Sequence, residues 1–420
     1  MAEFREVHPK KRPIDSVVRP PGSKSLTIRA LACAALADGR SRLRSPLDSE
    51  DTLAARDAFR LLGVNVSEND EGWDVDGSNG MLVGPLDPID AGASGLTARI
   101  VLGLAPLVSG ALTVTGRDRL PGRPMDGILD VLAAQGVAVV SEGGYLPITL
   151  DAGSAQVLGR LVVDASKSSQ FVTAALLPAP VAEIPIVVVA EELSGSRGYL
   201  GLTVDVMRAF GADVEVSGNE FAVEAGGYRG VDYEVEPDAS AAVYPMVAAA
   251  IAGGRVVVEG LGQKSHQPDY GIASILEKMG CRVERAVGST TVIGPPVRLE
   301  PIDEDLSGSP DGALAVAVAC LRASGSSRIR GLESLRYKES NRLSALATEI
   351  NRTGGSAEIE GASLLIQPGN ISHVQFETYS DHRMAMSLAL LGLVSDGVSI
   401  GDPNVVAKTW PGFWKMLDQL

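Results

Sequence analysis

A helix that ends in glycine and runs into an alternating strand recurs five times along this chain. The copies are Leu62-Gly63-Val64-Asn65-Val66, Gln135-Gly136-Val137-Ala138-Val139, Phe210-Gly211-Ala212-Asp213-Val214, Met279-Gly280-Cys281-Arg282-Val283 and Thr353-Gly354-Gly355-Ser356-Ala357. Their glycines step by 73, 75, 69 and 74 residues. Glycine just past a helix supplies the left-handed cap that turns the chain into the next strand. A period this regular points to one repeated supersecondary unit. A sixth helix, Trp410 to Leu420, ends without a strand of its own, so the N-terminal residues are expected to complete its unit and the termini to meet.

A second, Ala-rich helix recurs between these, over Ser25 to Leu36, Gly95 to Leu107, Ser168 to Leu177, Ala239 to Ala252, Asp311 to Ala323 and His382 to Val394. Six units of two helices plus strands follow. A solenoid would have shorter units, typically about 20 to 50 residues, with polar end caps. Two α/β domains of three units each fit 420 residues better, since cores usually stop growing at roughly 250 to 300 residues. The midpoint falls near Glu236-Pro237-Asp238, which predicts one domain over 22–236 and a discontinuous one over 1–21 and 237–420.

The 37 basic and 52 acidic side chains leave a formal charge of −15, which argues against nucleic acid or an anionic membrane as partner. An anionic ligand must therefore find a locally positive site. Cys33, Cys281 and Cys320 show no CxxC spacing and fit a reducing cytoplasm. The first sixteen residues lack the apolar stretch of a secretory signal, and no segment reads as membrane-spanning. No His/Cys/carboxylate pattern has metal spacing, and neither GxGxxG after a first strand nor GxxxxGK[ST] is present. No metal and no nucleotide cofactor is expected.

The six Ala-rich helices begin at Gly22-Ser23-Lys24-Ser25, Ser94-Gly95, Lys167-Ser168-Ser169-Gln170, Asp238-Ala239-Ser240, Ser309-Pro310-Asp311 and Ser380-Asp381-His382-Arg383. A Ser or Asp at a helix start is by itself an ordinary cap. Helix N-termini nevertheless bind anions, and Lys24, Ser25 and Arg29 bring two cations and a hydroxyl to one such end. Lys338, Glu339 and Arg342 are spaced to share a helix face. Alone they would read as a solvated ion-pair stripe; beside phosphate binders, Glu339 becomes a candidate proton donor.

Seven motifs stand in a fixed order: Pro21-Gly22-Ser23-Lys24-Ser25, Arg123-Pro124-Met125, Ser168-Ser169-Gln170-Phe171, Pro310-Asp311, Lys338-Glu339-Ser340-Asn341-Arg342, Asp381-His382-Arg383-Met384-Ala385-Met386 and Ala407-Lys408-Thr409. Together they resemble the enolpyruvyl transferases, and within them the branch whose acceptor is shikimate 3-phosphate. The resemblance implies the two-domain enolpyruvyl transferase fold, an inside-out α/β barrel of six βαβαββ units, three per domain, with helix N-termini facing a cleft that closes on substrate. It implies transfer of the enolpyruvyl group of phosphoenolpyruvate to the 5-hydroxyl of shikimate 3-phosphate, in the cytoplasm and by a monomer.

Carried over residue by residue, the resemblance assigns shikimate 3-phosphate to Lys24, Ser25, Arg29, Ser168, Ser169, Gln170, Ser196, Tyr199, Asp311 and Lys338. Arg29 would face the carboxylate. Phosphoenolpyruvate falls to Lys24, Gly95, Arg123, Gln170, Arg342, Arg383 and Lys408. Asp311 would take the hydroxyl proton, Glu339 would protonate the enol methylene, and Lys24 would assist catalysis at the contact of both substrates. Three departures stand out. Ala93 and Leu96 replace an asparagine and a threonine of the family's loop before Arg99, and Ser334 replaces an asparagine ahead of the Lys-Glu motif. A related branch that acts on UDP-N-acetylglucosamine carries an Asn after its first Lys and a loop cysteine. Here Ser25 follows Lys24, and Gly116 to Arg123 has no cysteine. A non-catalytic phospholigand binder is the other reading; Asp311 and Glu339 argue against it.

Overall fold

A helix that is apolar on every side has to be buried on every side. All eight residues of Ala313–Cys320 and of His382–Ala389 are buried, as are all nine of Gly95–Gly103. In Lys24–Leu36 and Ala239–Ala252 burial is interrupted only at the helix ends. These are the Ala-rich helices of the second series. In the computed structural model, which describes residues 3–153, 155–193 and 197–420, they form the interior. Small side chains let them approach closely. A Cβ on Gly103 would stand 2.3 Å from the carbonyl oxygen of Ala174 in the neighbouring helix Gln170–Leu176.

The chain divides into two units. Gly22–Glu236 forms one, and the described residues on either side of it form the other; each has its own hydrophobic core. The first unit contains three four-stranded sheets of one pattern. In the clearest, Ile89–Asp90 leads into Gly95–Gly103 and pairs in parallel with Ala111–Thr115. The helix Asp126–Ala134 follows, and the hairpin Ala138–Glu142 and Tyr145–Asp151 adds antiparallel to Ala111–Thr115. The βαβαββ order repeats from Arg160–Asp164 to Glu220–Val223. In the sheet of Arg40–Arg44 the leading parallel strand is Asp232–Glu234, from the far end of the same unit.

The second unit follows the same plan. Ile14–Val18 leads the sheet of Gly254–Glu259, and Asp303–Asp305 leads that of Ser327–Arg330. The sixth sheet has three strands. Val374–Phe376 pairs in parallel with Val398–Gly401, and Phe4–Val7 supplies the antiparallel strand that the sequence lacks after the helix Phe413–Gln419. Arg5 pairs with Asp418 at 2.7 Å, and the Lys10 ammonium donates to the carbonyl of Leu417 at 3.1 Å.

Four of the five repeat glycines, at positions 63, 136, 211 and 280, have φ between 82° and 92°, the left-handed cap their spacing predicts. Gly354 differs. It is not left-handed; a Cβ there would stand 2.1 Å from the Asn370 carbonyl oxygen, so close backbone approach excludes a side chain. No helix of the described residues is long and apolar enough to cross a membrane.

Candidate active site

In the unit Gly22–Glu236 the Ser23 hydroxyl caps Lys24–Leu36 by accepting from the Leu26 amide. That places Lys24 and Ser25 in the first turn and Arg29 one turn on. Lys24 Nζ lies 3.1 Å from Oδ2 of Asp51, a residue 2% exposed in the first turn of the helix Glu50–Leu61. Sequence reasoning passed over Asp51 because an acid in a helix's first turn reads as a partner for the dipole. The only hint was its place behind the Ser49–Thr52 capping box.

Arg29 is 1% exposed, and every part of its guanidinium is held. Nε donates to Thr203 Oγ1 at 2.8 Å, Nη1 to the Ser25 carbonyl at 3.0 Å, and Nη2 reaches Thr173 Oγ1 and the Tyr199 carbonyl at 3.5 Å. All these acceptors are neutral. Among the described residues no carboxylate forms an ion pair with Arg29, and burial lowers its pKa to about 10 against smaller opposing effects of Tyr199 and Cys33. Arg29 is thus a buried cation held by neutral dipoles alone among the described residues.

Arg99 fixes the neighbouring helix start. Its Nη1 donates to Gln170 Oε1 at 2.6 Å and Ser168 Oγ at 3.3 Å, its Nη2 to the Pro124 carbonyl at 2.9 Å, and its guanidinium stacks on Phe171 at 4.8 Å. Gly95 opens its helix after Ser94, which accepts from the Thr97 amide. A Cβ on Gly95 would stand 2.6 Å from Arg123 Nη1, so that guanidinium lies directly over the glycine. Leu96, one of the departures, is buried, so its side chain packs inward. Ser169 is the buried cap of Gln170–Leu176, and Tyr199 is half-buried. Ser196 lies outside the described residues.

The second unit gathers a denser set. Arg342, 1% exposed, is shared among three carboxylates. Nε and Nη2 bind Asp381 at 2.8 and 3.1 Å, Nη1 binds Asp311 at 2.9 Å, and Nη2 also meets Glu339 at 2.8 Å. Asp311 receives two further cations, Arg383 at 3.0 Å and Lys338 at 3.3 Å, while Lys408 lies 3.9 Å from Glu339. Asp381, fully buried, also accepts from Ser340 Oγ and from the Arg383 amide, both at 3.0 Å. His382 is buried with Nδ1 3.7 Å from Asp381, and Arg383 Nη1 reaches the Tyr244 hydroxyl at 3.4 Å.

The electrostatics follow from this arrangement. Burial works to raise the Asp311 carboxyl, but Arg383, Lys338 and Arg342 outweigh it and hold the group well below the usual carboxylate range. Burial would likewise lower Arg342, yet Asp381, Glu339 and Asp311 hold it above its ordinary value. The cluster is thus nearly neutral, not a bare ring of cations. Its groups are mutually bonded before any ligand arrives.

Two sequence readings need correction. Lys338 and Arg342 do not share a helix: Glu333–Tyr337 is a 3-10 turn, Lys338 is extended, and the α-helix starts only at Arg342 behind the cap Asn341, which accepts from Ser344. They converge instead because both bind Asp311. Asp311 and Ser168 also precede their helices, which begin at Ala313 and Gln170. Pro310 and Gly312 beside Asp311 favour a turn there over a first helical turn.

The chain matches the family model described as EPSP synthase (3-phosphoshikimate 1-carboxyvinyltransferase) over residues 9–417. It is 38% identical to the 3-phosphoshikimate 1-carboxyvinyltransferase of Methanoculleus marisnigri, with 96% of each chain covered. It is also 38% identical to that of Nostoc punctiforme, with 99% of each covered. Among solved structures, an EPSP synthase from Acinetobacter baumannii superposes with a TM-score of 0.84 at 27% identity, covering 100% of this chain and 98% of that one. The enolpyruvyl transferase NikO from Streptomyces tendae shares the fold, with a TM-score of 0.78 at 20% identity over 100% of this chain and 98% of that one.

Proposed function

The chain belongs to the EPSP synthase family, and from that premise we propose that it transfers the enolpyruvyl group of phosphoenolpyruvate to the 5-hydroxyl of shikimate 3-phosphate, releasing phosphate. The reaction belongs to the shikimate pathway of aromatic amino acid biosynthesis. It is an addition followed by an elimination. The hydroxyl oxygen attacks C2 of the enolpyruvyl group and gives its proton to Asp311, while C3 takes a proton from Glu339. The tetrahedral intermediate then loses phosphate from C2, which carries off the proton held on Asp311, and returns a proton from C3 to Glu339, restoring the double bond on the new ether.

The observation that carries this reading is the pair of carboxylates on one guanidinium, Asp311 at 2.9 Å and Glu339 at 2.8 Å from Arg342. General acid–base addition needs an acceptor and a donor of protons held together, so in this reading Glu339 takes up a proton before it delivers one to C3. Asp311, ionised by its three cations, is ready to accept. As substrate anions draw Arg383 and Lys338 toward themselves, the restraint on its basicity loosens. In the other unit Arg29 supplies the counter-charge for the shikimate carboxylate, Ser25, Ser168, Ser169, Gln170 and Tyr199 line the same substrate, and Lys24 reaches both ligands. Gly95, Arg123, Gln170, Arg342, Arg383 and Lys408 bind phosphoenolpyruvate. No metal or nucleotide cofactor enters the proposal. The family match favours this acceptor over UDP-N-acetylglucosamine. A cytoplasmic, monomeric enzyme is part of the same reading, in keeping with three buried, unbridged cysteines.

Phosphate release from the two substrates by pure protein tests the reaction, and no turnover would overturn it. Glu339→Gln is expected to lower kcat by at least about 100-fold with little change in either KM. An unchanged rate removes Glu339 as the acid.

A further inference from the structure

Behind Asp311 lies a second buried carboxyl that the reaction as written does not use. Asp269, 2% exposed, sits in the turn Pro268–Gly271. Its Oδ1 accepts from the amide of Gly312, the residue after Asp311, at 3.2 Å, and its Oδ2 accepts from the Ser240 hydroxyl. The turn is tied down on both sides. Gln267 Oε1 accepts from the Ala239 amide at 3.1 Å, its Nε2 donates to the Pro237 carbonyl at 2.7 Å, and Ser309 Oγ donates to the Pro268 carbonyl at 2.7 Å. Gly312 packs against the residue that follows this turn, since a Cβ there would stand 2.8 Å from the Ile272 side chain.

We propose that Asp269 is a positioning residue for the transfer reaction: it fixes the Asp311 loop through the Gly312 amide, and its negative charge keeps Asp311 basic against the three cations that grip it. The inference rests on the reading of Asp311 as proton acceptor. A like charge beside a carboxylate raises its affinity for a proton, in opposition to Arg383, Lys338 and Arg342. Asp269 feels the same repulsion. Burial first, and Asp311 second, push its carboxyl up to about 6, with Arg383 and the hydrogen bonds from Ser240 and Gly312 opposing. The charged groups facing the pair are Arg383 on both, then Lys338, Arg342 and Glu339 around Asp311, and Asp238 and Tyr244 near Arg383. Above about pH 6 Asp269 is ionised and Asp311 is the stronger base; below it, Asp269 is neutral and that support is lost.

The test is Asp269→Asn in the full chain. The amide keeps an oxygen for the Gly312 N–H and a polar contact for Ser240, so the loop is held while the charge is removed. The native enzyme is expected to show a step in kcat near pH 6. The variant is expected to lack that step, with kcat at pH 8 lowered about tenfold and both KM values within about twofold. The His382 imidazole, close to Asp381, remains in the variant, so a step of its making would persist. Ser240→Ala removes a hydrogen bond that favours the ionised form, and should move the step to higher pH. Asp269→Asn with native kcat, or with reduced kcat but the step intact, overturns the inference. Absence of turnover in the native protein overturns the functional reading and this inference with it; an active native enzyme with an unaltered variant overturns the inference alone.

Discussion

Replacing Arg29 by methionine separates binding from folding. The guanidinium is 1% exposed and lies among neutral acceptors, and the lowering of its pKa to about 10 corresponds to roughly 3 kcal/mol of unfavourable burial in the unliganded protein. Methionine fills similar space without charge. The groups left behind do not become orphans, because the Thr173 and Thr203 hydroxyls already lie 3.0 Å apart and Thr203 donates to the Tyr199 carbonyl at 3.0 Å. Unliganded Arg29→Met should therefore melt at or above the native temperature. Binding should change in the opposite direction. A carboxylate docked on Arg29 gains charge-assisted hydrogen bonds worth about 1.5 to 3 kcal/mol each, so two of them set a loss of roughly 3 kcal/mol or more. That corresponds to a Kd for shikimate 3-phosphate raised by about 100-fold or more. Isothermal titration with shikimate 3-phosphate, beside melting curves with and without it, measures both effects. A variant that melts several degrees lower yet binds shikimate 3-phosphate normally, or one whose defect is confined to phosphoenolpyruvate, would refute the assignment.

Gly95→Ala should fold normally, because the methyl meets the movable end of Arg123, and should raise the KM for phosphoenolpyruvate about tenfold with that for shikimate 3-phosphate unchanged; steady-state rates with each substrate varied in turn check this. Asp381→Asn strips Arg342 of its closest buried partner, and a broken buried pair costs about 3 to 5 kcal/mol. Since Asp311 and Glu339 still hold Arg342, the lower end of that range is expected, seen as a melting point several degrees lower together with reduced kcat. A native melting point would show that Asp381 contributes little to holding Arg342.

What could be read in the sequence was local and periodic. The glycine spacing marked the helix-to-strand corners because a left-handed cap is a property of one residue, and Gly354 escaped that explanation because its reason, the Asn370 carbonyl, lies in a different strand connection. Ala313–Cys320 was legible as a buried helix because its apolar character runs all round, whereas His382–Ala389 is wholly buried despite His382, Arg383 and Ser387. Polar pairings were not. Asp51 meets Lys24 across 27 residues, Asp381 meets Arg342 across 39, and Gly312 meets Asp269 across 43. No spacing rule covers such distances, and these acids look ordinary where they stand: Asp381 caps a helix, while Asp51 and Asp269 sit in first turns. The Lys338–Arg342 run misled for the complementary reason. Its spacing suits a helix, but Asn341 caps one that begins a residue later.

The same pairings explain how a chain of charge −15 can hold two anions. In the second unit Arg342, Arg383, Lys338 and Lys408 are each balanced by Asp311, Glu339 or Asp381. Without ligand, attraction to their own carboxylates offsets the repulsion among these cations. In the first unit Arg29 has neutral acceptors, and the proposed assignment has it take its counter-charge from shikimate 3-phosphate. The consequences for binding differ. An anion reaching Arg29 neutralises a buried charge and gains in full, whereas an anion reaching Arg383 or Lys338 competes with Asp311 and gains only the difference. With Asp311 as the proposed proton acceptor, that competition is useful, because each cation that turned toward substrate would release Asp311 to accept a proton. On the proposed assignment, binding strength concentrates on Arg29, and proton transfer on the balanced cluster around Arg342.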